Sequence, residues 1–156
     1  MIEVKIPGRE KALRIQTVAL DYNGTIAADG VLLPAAAERI RELITHVDIC
    51  VLTADTYGTV MQQCRELGVA VKTFPQEGAA VCKEAIVRKL GSGVCAVGNG
   101  FNDIQMFDAA ELAVAVLGRE GMCAQLLAHA DVLVTSPEDA LDLLLKANRL
   151  RATLRN

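Results

Sequence analysis

Four short apolar runs restrict most strongly what this chain can fold into. They are VALD at 18–21, ICVLT at 49–53, VCAVG at 94–98 and LAVAV at 112–116. Segments with helical spacing separate them, such as 34–46, in which Ala37, Ile40 and Leu43 recur at helical intervals. Apolar strands that alternate with amphipathic helices are typical of a parallel sheet covered on both faces. The sequence therefore predicts a three-layer α/β/α fold with a mostly parallel central sheet.

The other segments extend this alternation. We predict strands at 2–6, 14–21, 48–54, 69–74, 94–100, 112–117 and 131–135. We predict helices at 34–46, 56–68, 77–91, 101–110, 120–130 and 136–156. Asp29-Gly30 indicates a tight turn in a small hairpin at 27–34. Ser136 and Pro137 are a capping residue and a first-turn proline for the last helix.

Composition and charge narrow the class of protein. The chain has 156 residues, which suits a single domain over 1–156. Its net charge of −3, without a block of like charges, argues against a nucleic-acid partner. No run reaches the roughly 18 apolar residues of a membrane helix, and the N-terminus does not resemble a signal peptide. Five cysteines without a Cys-x-x-Cys pair indicate reduced thiols, so we expect a cytoplasmic protein.

Polar residues stand where the predicted strands end, which is where ligands bind in parallel sheets. Asp21 could be a nucleophile, a metal ligand or a helix cap, and an ordinary turn residue is the alternative. Thr53 offers a hydroxyl that suits an oxyanion, or it simply ends a strand. Lys83, near the start of helix 77–91, could reach a phosphate, although most lysines lie on the surface.

The segment GNGFND, 98–103, is the most specific of these motifs. Its glycines allow close backbone approach, and Asp103 could bind a hard cation or cap the next helix. An acid, a threonine, a lysine and this glycine-rich acidic turn follow one another on successive units of the predicted sheet. Together they match phosphoryl transfer through an aspartyl-phosphate.

These four motifs resemble those of the haloacid dehalogenase-like superfamily. DYNGT at 21–25 is similar to its first motif, Thr53 to its second, Lys83 to its third and GNGFND to its fourth. TAD at 53–55, KEAIVRKLG and the segment from Val97 onwards resemble the phosphorylation domain of P-type transport ATPases. The resemblance implies a Rossmann-like fold without a cap domain, of the kind found in soluble P-type ATPase-like phosphatases.

The resemblance also implies a magnesium-dependent phosphohydrolase that acts on a small phosphorylated substrate. Asp21 would form the phosphoenzyme, and Thr53 and Lys83 would hold the phosphoryl oxygens. The implied Mg²⁺ ligands are Asp21, the backbone carbonyl of Asn23, Asn99 and Asp103, the last directly or through water.

Two asparagines depart from the family pattern. Position 23 usually carries an acid that protonates the leaving group and activates water, and such help is worth about 10²–10⁴-fold. We therefore expect a slow enzyme that prefers good leaving groups. Asn99 removes a charge from the implied metal site, so we expect weaker Mg²⁺ binding.

Other functions remain open at the level of the sequence. One alternative is a weak or inactive regulatory protein that binds phosphate or metal, and another is a receiver-type signalling domain. A receiver also phosphorylates an aspartate, but it has no place for GNGFND.

Capless relatives often self-associate to screen an open site, so a homo-oligomer is a further option that rests on this analogy.

Overall fold

The computed structural model describes residues 1–55 and 58–156, and all elements below belong to these ranges. The strands are Ile2–Val4 (β1), Leu13–Ile15 (β2), Thr17–Asp21 (β3), Ala27–Ala28 (β4), Val31–Leu32 (β5), Asp48–Thr53 (β6), Ala70–Thr73 (β7), Val94–Gly98 (β8), Leu112–Val116 (β9) and Val132–Val134 (β10). The α-helices are Pro34–Leu43 (α1), Val60–Cys64 (α2), Ala79–Leu90 (α3), Ile104–Ala109 (α4), Pro137–Leu145 (α5) and Ala147–Leu154 (α6). Short 3₁₀ turns cover Arg65–Leu67, Phe101–Asp103 and Ala124–His129. Residues 56 and 57, where we predict a helix to begin, lie outside the described residues.

A six-stranded sheet forms the centre of the molecule, in the order β10-β9-β8-β3-β6-β7. All neighbouring strands in it are parallel. β3 lies between β6 and β8, so the chain leaves β3 toward one side of the sheet and later returns to the other. This reversal is the switch point at which ligands bind in such sheets. The predicted three-layer, Rossmann-like α/β fold is confirmed.

The buried residues of β3 show how the two outer layers are held. Val18 and Leu20 are fully buried in one core, which includes α1 and α5. Ala19 points to the opposite core, which includes α3 and α4. Successive side chains of a strand point to opposite faces, so an uninterrupted apolar run is required when helices cover both.

The predicted strand at 14–21 is in fact two strands, and here the sequence interpretation was wrong. β2 pairs with β1 in a separate antiparallel hairpin, whereas β3 enters the central sheet. Burial explains the break. Residues of β2 alternate, with exposed Arg14 between two buried neighbours, whereas all of β3 is buried. The predicted strand at 2–6 is shorter and ends at Val4.

Two predicted helices also differ from the structure. The last helix breaks at Lys146, whose φ of −118° and ψ of 64° lie outside the helical region. The break redirects α6, which packs against β1 and buries Leu150. The segment 120–130 contains a 3₁₀ turn at Ala124–His129 instead of an α-helix. Among the described residues, no helix combines the length and the apolar character that crossing a bilayer requires.

Local turn and capping signals were predicted correctly. β4 and β5 form an antiparallel hairpin. Asp29 and Gly30 occupy its turn with φ of 51° and 76°, which is the left-handed pair that a type I′ turn needs. Ser136 caps α5 by accepting a hydrogen bond from the backbone N–H of Asp139 at 3.1 Å. Pro34 and Pro137 lie in the first turns of α1 and α5.

Candidate active site

Three parallel strands end at the same edge of the sheet and carry the predicted residues there. Asp21 is the last residue of β3, Thr53 of β6 and Gly98 of β8. A cavity of about 440 Å³ opens at this edge, and Asp21, Asn23 and Thr53 line it. Lys83, Asn99 and Asn102 also line the cavity. The fold therefore brings together side chains that lie up to 81 positions apart in the sequence.

Lys83 connects two carboxylates. Its Nζ donates to Asp21 Oδ1 and to Asp103 Oδ1, each at 2.6 Å, and to Asn102 Oδ1 at 3.1 Å. Only 2% of its surface is exposed, because α3 presents it to the sheet edge rather than to solvent. The surface-lysine alternative is thereby wrong.

The cluster of Lys83, Asp21 and Asp103 has unequal numbers of charged groups, since one ammonium group pairs with two carboxylates. Burial, together with the nearby charge of Asp103, raises the pKa of Asp21 to about 7, although Lys83 and Thr25 oppose the shift. Burial lowers the pKa of Lys83, but the two carboxylates raise it by more, so the net pKa lies above its usual value. Lys83 is therefore a lasting positive charge, and the negative charge around it exceeds what it neutralises.

Asp103 organises the glycine-rich turn. Its side chain is fully buried, and Oδ2 accepts hydrogen bonds from the backbone N–H groups of Asn99 at 2.9 Å and Gly100 at 2.8 Å. Oδ1 is engaged by Lys83. A Cβ at Gly98 would collide with this carboxylate, so glycine is needed there. Asp103 does not line the cavity among the described residues, and it acts on the site from behind the turn.

Thr25 is the last residue of DYNGT, and no role is predicted for it from the sequence. It is buried, and its Oγ1 lies 2.9 Å from Asp21 Oδ2 and 3.0 Å from Asn99 Oδ1. Asn99 Nδ2 donates to the carbonyl of Gly121 at 3.1 Å. A Cβ at Gly24, whose φ is 78°, would collide with the Asn99 side chain. The sequence signal that could have identified Thr25 is a hydroxyl residue four positions after an acid that ends a strand.

Asn23 and Thr53 occupy the rim and the floor of the cavity. Asn23 is exposed, and its turn is closed by a hydrogen bond from Gly24 N–H to the carbonyl of Ala27 at 2.9 Å. Thr53 is 2% exposed, and its Oγ1 accepts from the backbone N–H of Asp55 at 3.1 Å. This bond shapes the turn after β6 and fixes the Thr53 hydroxyl at the end of the strand.

The donor set suits a hard cation by type. Asp21, Asn23 and Asn99 line one cavity and offer carboxylate and amide oxygens, which are the ligands that Mg²⁺ prefers. Among the described lining residues, Asp21 is the acidic one. Within residues 1–55 and 58–156, no group of three His, Cys, Asp or Glu side chains converges on a metal-sized site. The residues therefore fit Mg²⁺ with less negative charge than a site with two accessible carboxylates.

Two relatives of the chain in sequence are proteins from Methanocaldococcus jannaschii. No protein-family model matches the chain. An uncharacterized protein from Methanocaldococcus jannaschii is 43% identical over 63 residues, which are 40% of this chain and 68% of that protein. A soluble P-type ATPase-like phosphatase from the same organism is 27% identical over 140 residues, or 87% of this chain. The chain spans about half, 51%, of the length of that phosphatase.

Comparisons with solved structures identify the fold. A 3-deoxy-D-manno-octulosonate 8-phosphate phosphatase from Moraxella catarrhalis, in complex with magnesium and phosphate, has a TM-score of 0.71 at 20% identity, with 90% of this chain and 94% of that chain covered. A putative HAD superfamily (subfamily III A) hydrolase from Legionella pneumophila has a TM-score of 0.73 at 16% identity, with 91% and 88% covered. At these identities the structural likeness establishes the fold. In its fold and in the order of its motifs, the chain is similar to hydrolases of the haloacid dehalogenase-like superfamily.

Proposed function

We propose that this protein is a magnesium-dependent phosphohydrolase that works through an aspartyl-phosphate on Asp21. One observation carries the proposal: a buried carboxylate at the end of the central strand, held by Lys83 and Thr25, opens onto a cavity beside Thr53. The segment GNGFND argues against the receiver-type alternative, because a receiver has no place for it.

The proposed reaction has two displacements at phosphorus. A carboxylate oxygen of Asp21 attacks the phosphoryl group, and the bond from phosphorus to the leaving-group oxygen breaks. Water then cleaves the acyl phosphate, which releases inorganic phosphate and restores Asp21. Positioning and neutralisation of charge supply most of the rate in such transfers.

Lys83 and Thr53 are the proposed holders of the phosphoryl oxygens. Lys83 reaches the cavity as a buried positive charge whose raised pKa keeps it protonated. Thr53 adds a hydroxyl at the end of β6. Donors that are already fixed in position stabilise developing charge better than mobile groups do, because they need no reorganisation during the reaction.

The proposed magnesium ligands are Asp21, the carbonyl of Asn23 and the amide oxygen of Asn99, with Asp103 supporting them from behind or through water. When bound, Mg²⁺ would neutralise the incoming phosphate and lower the pKa of Asp21, which keeps the nucleophile ionised. Asn99 in place of an acid makes this site weaker, as the sequence predicts.

Space for the rest of the substrate lies next to the reaction centre. A second cavity of about 770 Å³ shares Asn23 and Gln76 with the first. Because solved neighbours act on a phosphorylated sugar acid, a sugar phosphate belongs in the substrate panel, beside acyl and aryl phosphates.

Asn23 determines which of these substrates we expect to react fastest. Its amide cannot protonate a leaving group, so acetyl phosphate and aryl phosphates should exceed a sugar phosphate in kcat/KM by about 10²-fold or more. Asn23→Asp should reduce that ratio by accelerating the sugar phosphate. Equal rates for alkyl and aryl substrates in the wild type would contradict this assignment.

Turnover of 4-nitrophenyl phosphate and acetyl phosphate, with and without Mg²⁺, tests the proposed function. We expect Mg²⁺-dependent turnover that Asp21→Asn abolishes, with Thr17→Val as a control at the far end of the same strand. A burst that stalls would indicate a phosphoenzyme that hydrolyses slowly. Absence of turnover in the wild type would favour the alternative of a binding or regulatory protein.

Three further expectations stay predictions. Cell fractionation should place the protein in the cytoplasm, and a binding assay with DNA and RNA should show no specific complex. Light scattering coupled to gel filtration should reveal whether a homo-oligomer forms.

A further inference from the structure

Thr25 lies between the proposed nucleophile and a proposed metal ligand. It is 1% exposed, on the turn that follows β3. Its hydroxyl oxygen is within hydrogen-bond distance of Asp21 Oδ2, at 2.9 Å, and of Asn99 Oδ1, at 3.0 Å. A residue in this position can influence attack, metal binding or both.

The orientation of Asn99 is fixed by its other neighbour. Its amide nitrogen lies 3.1 Å from the backbone carbonyl of Gly121, and a carbonyl oxygen can only accept. The nitrogen must therefore face Gly121, which leaves the amide oxygen facing Thr25. The backbone carbonyl of Asn99 also accepts from Cys123 N–H at 2.8 Å, so both ends of the residue are held to the segment 121–123.

A count of protons then decides what Thr25 can do. Its hydroxyl carries one hydrogen, and both neighbours within reach, Asp21 Oδ2 and Asn99 Oδ1, are acceptors. Only one of them can receive it at a time. Hydrogen bonds to an ionised acceptor are about twice as strong as neutral ones, so the carboxylate of Asp21 receives the proton whenever it is ionised.

We propose that Thr25 is a positioning residue: its hydroxyl fixes Asp21 Oδ2 and thereby leaves the amide oxygen of Asn99 available to a cation. The assignment deepens the proposed function and rests on it. With Lys83 on Oδ1 and Thr25 on Oδ2, both oxygens of Asp21 are restrained. Asn99, restrained by Gly121, needs no help from Thr25 to face the cavity.

Double-mutant cycles test the assignment without metal or substrate. Thr25→Val is combined with Asp21→Ala and, separately, with Asn99→Ala, and each unfolding equilibrium is measured in urea without Mg²⁺, in mildly alkaline buffer so that the carboxylate of Asp21 is ionised. We expect the Thr25–Asp21 pair to show a coupling of about tenfold in the unfolding constant, and the Thr25–Asn99 pair less than about twofold. A larger coupling to Asn99 would overturn the proposal. Thr17→Val, the same change at the other buried end of β3, should couple to neither residue.

A kinetic comparison tests positioning itself. Thr25→Val should lower kcat for an aryl phosphate about tenfold to a hundredfold with KM changed less than about threefold, because orientation of the nucleophile is lost. Thr25→Ser, which keeps the hydroxyl, should recover most of kcat. If serine behaves like valine, the hydroxyl is not what positions Asp21.

Calorimetric titration with Mg²⁺ separates the roles of the two residues. Asn99→Ala should weaken Mg²⁺ binding about tenfold or more, whereas Thr25→Val should change it less than about threefold. Equal weakening by both variants would overturn the assignment. A wild type without turnover would count against the proposed function only, because the double-mutant cycles judge Thr25 independently of activity.

Discussion

Two clusters of buried carboxylates and cations, both within the described residues, combine the two kinds of charge in opposite proportions. At the sheet edge, one ammonium group, that of Lys83, is shared by Asp21 and Asp103. Between α1 and α5, three cations contact the single carboxylate of Asp142: Arg39 at 2.9 Å, Lys146 at 2.7 Å and Arg149 at 3.3 Å. We call these four residues the helix clamp.

The pKa values of Asp142 and Asp21 follow the ratio of cations to carboxylates in their clusters. Burial raises the pKa of Asp142, but hydrogen bonds and charges from Lys146 and Arg39 lower it by more, so the net pKa lies below its usual value. The pKa of Asp21 is raised to about 7, first by burial and then by Asp103. The helix clamp is electrostatically complete, whereas the sheet edge has negative charge left to neutralise. The difference supports the proposal that a cation and the reacting phosphate bind at the sheet edge.

The largest expected effect comes from removing the cation at the sheet edge. Lys83→Met should lower the free energy of unfolding by about 3–5 kcal/mol without Mg²⁺, because two buried carboxylates would lose their partner. Urea unfolding at neutral pH measures this. Lys83→Met should also lower turnover to the background level, since a methionine side chain cannot hold a phosphoryl oxygen.

Lys146→Met is the matched control in the helix clamp. The Lys146 side chain is 50% exposed, and Asp142 keeps Arg39 and Arg149 as partners, so the cost should stay below about 1 kcal/mol. Equal costs for the two variants would mean that the proportion of charges does not distinguish the two regions.

A smaller effect is expected when negative charge is added to the sheet edge. Asn99→Asp should tighten Mg²⁺ binding about tenfold, because a second accessible carboxylate would face the cation. Without Mg²⁺ the same variant should be less stable than the wild type, since a carboxylate oxygen would replace the amide that donates to Gly121. Calorimetry and thermal unfolding with and without Mg²⁺ measure the two effects.

Asn148→Asp is the control for charge alone, because Asn148 lies exposed on α6. It should change neither Mg²⁺ affinity nor metal-free stability beyond a few tenths of a kcal/mol. If Asn99→Asp left Mg²⁺ affinity unchanged, Asn99 would not be a metal ligand.

The sequence predicted the sheet and the strand-end residues because both follow from local patterns. Continuous apolar runs identified the buried parallel strands, and the direction of those strands assigned Asp21 and Thr53 to one edge. Lys83 was predicted as a site residue from the order of the motifs, since nothing in its local sequence distinguishes it from a surface lysine.

What the sequence could not predict depends on contacts between distant segments. The contact between Thr25 and Asn99, for example, joins residues 74 positions apart at 3.0 Å. The helix clamp joins Arg39 to Asp142 across 103 positions. The break at Lys146 likewise depends on packing of α6 against β1, which no periodicity within 136–156 reveals.

The smallest effect, a pH dependence, should come from the helix clamp. Because the folded pKa of Asp142 is depressed below 3.8, the clamp contributes its full stability above the unfolded pKa and loses it as the pH falls through the folded value. Asp142→Asn should therefore cost about 1 kcal/mol, since two of the three cations are about half exposed and screened.

That cost should be constant from about pH 8 to about pH 5 and should shrink toward zero on further acidification. Urea unfolding of the wild type and of Asp142→Asn across this range measures it, with Asp139→Asn as a matched control on the same helix. Asp139 is half exposed, lies 3.8 Å from Arg149 and accepts a hydrogen bond from Ser136 Oγ at 2.8 Å, so its substitution should cost only a few tenths of a kcal/mol. If the stability difference between wild type and Asp142→Asn persisted undiminished in strong acid, Asp142 would act through packing rather than through its charge. The contrast between the helix clamp and the sheet edge would then rest on the sheet edge alone.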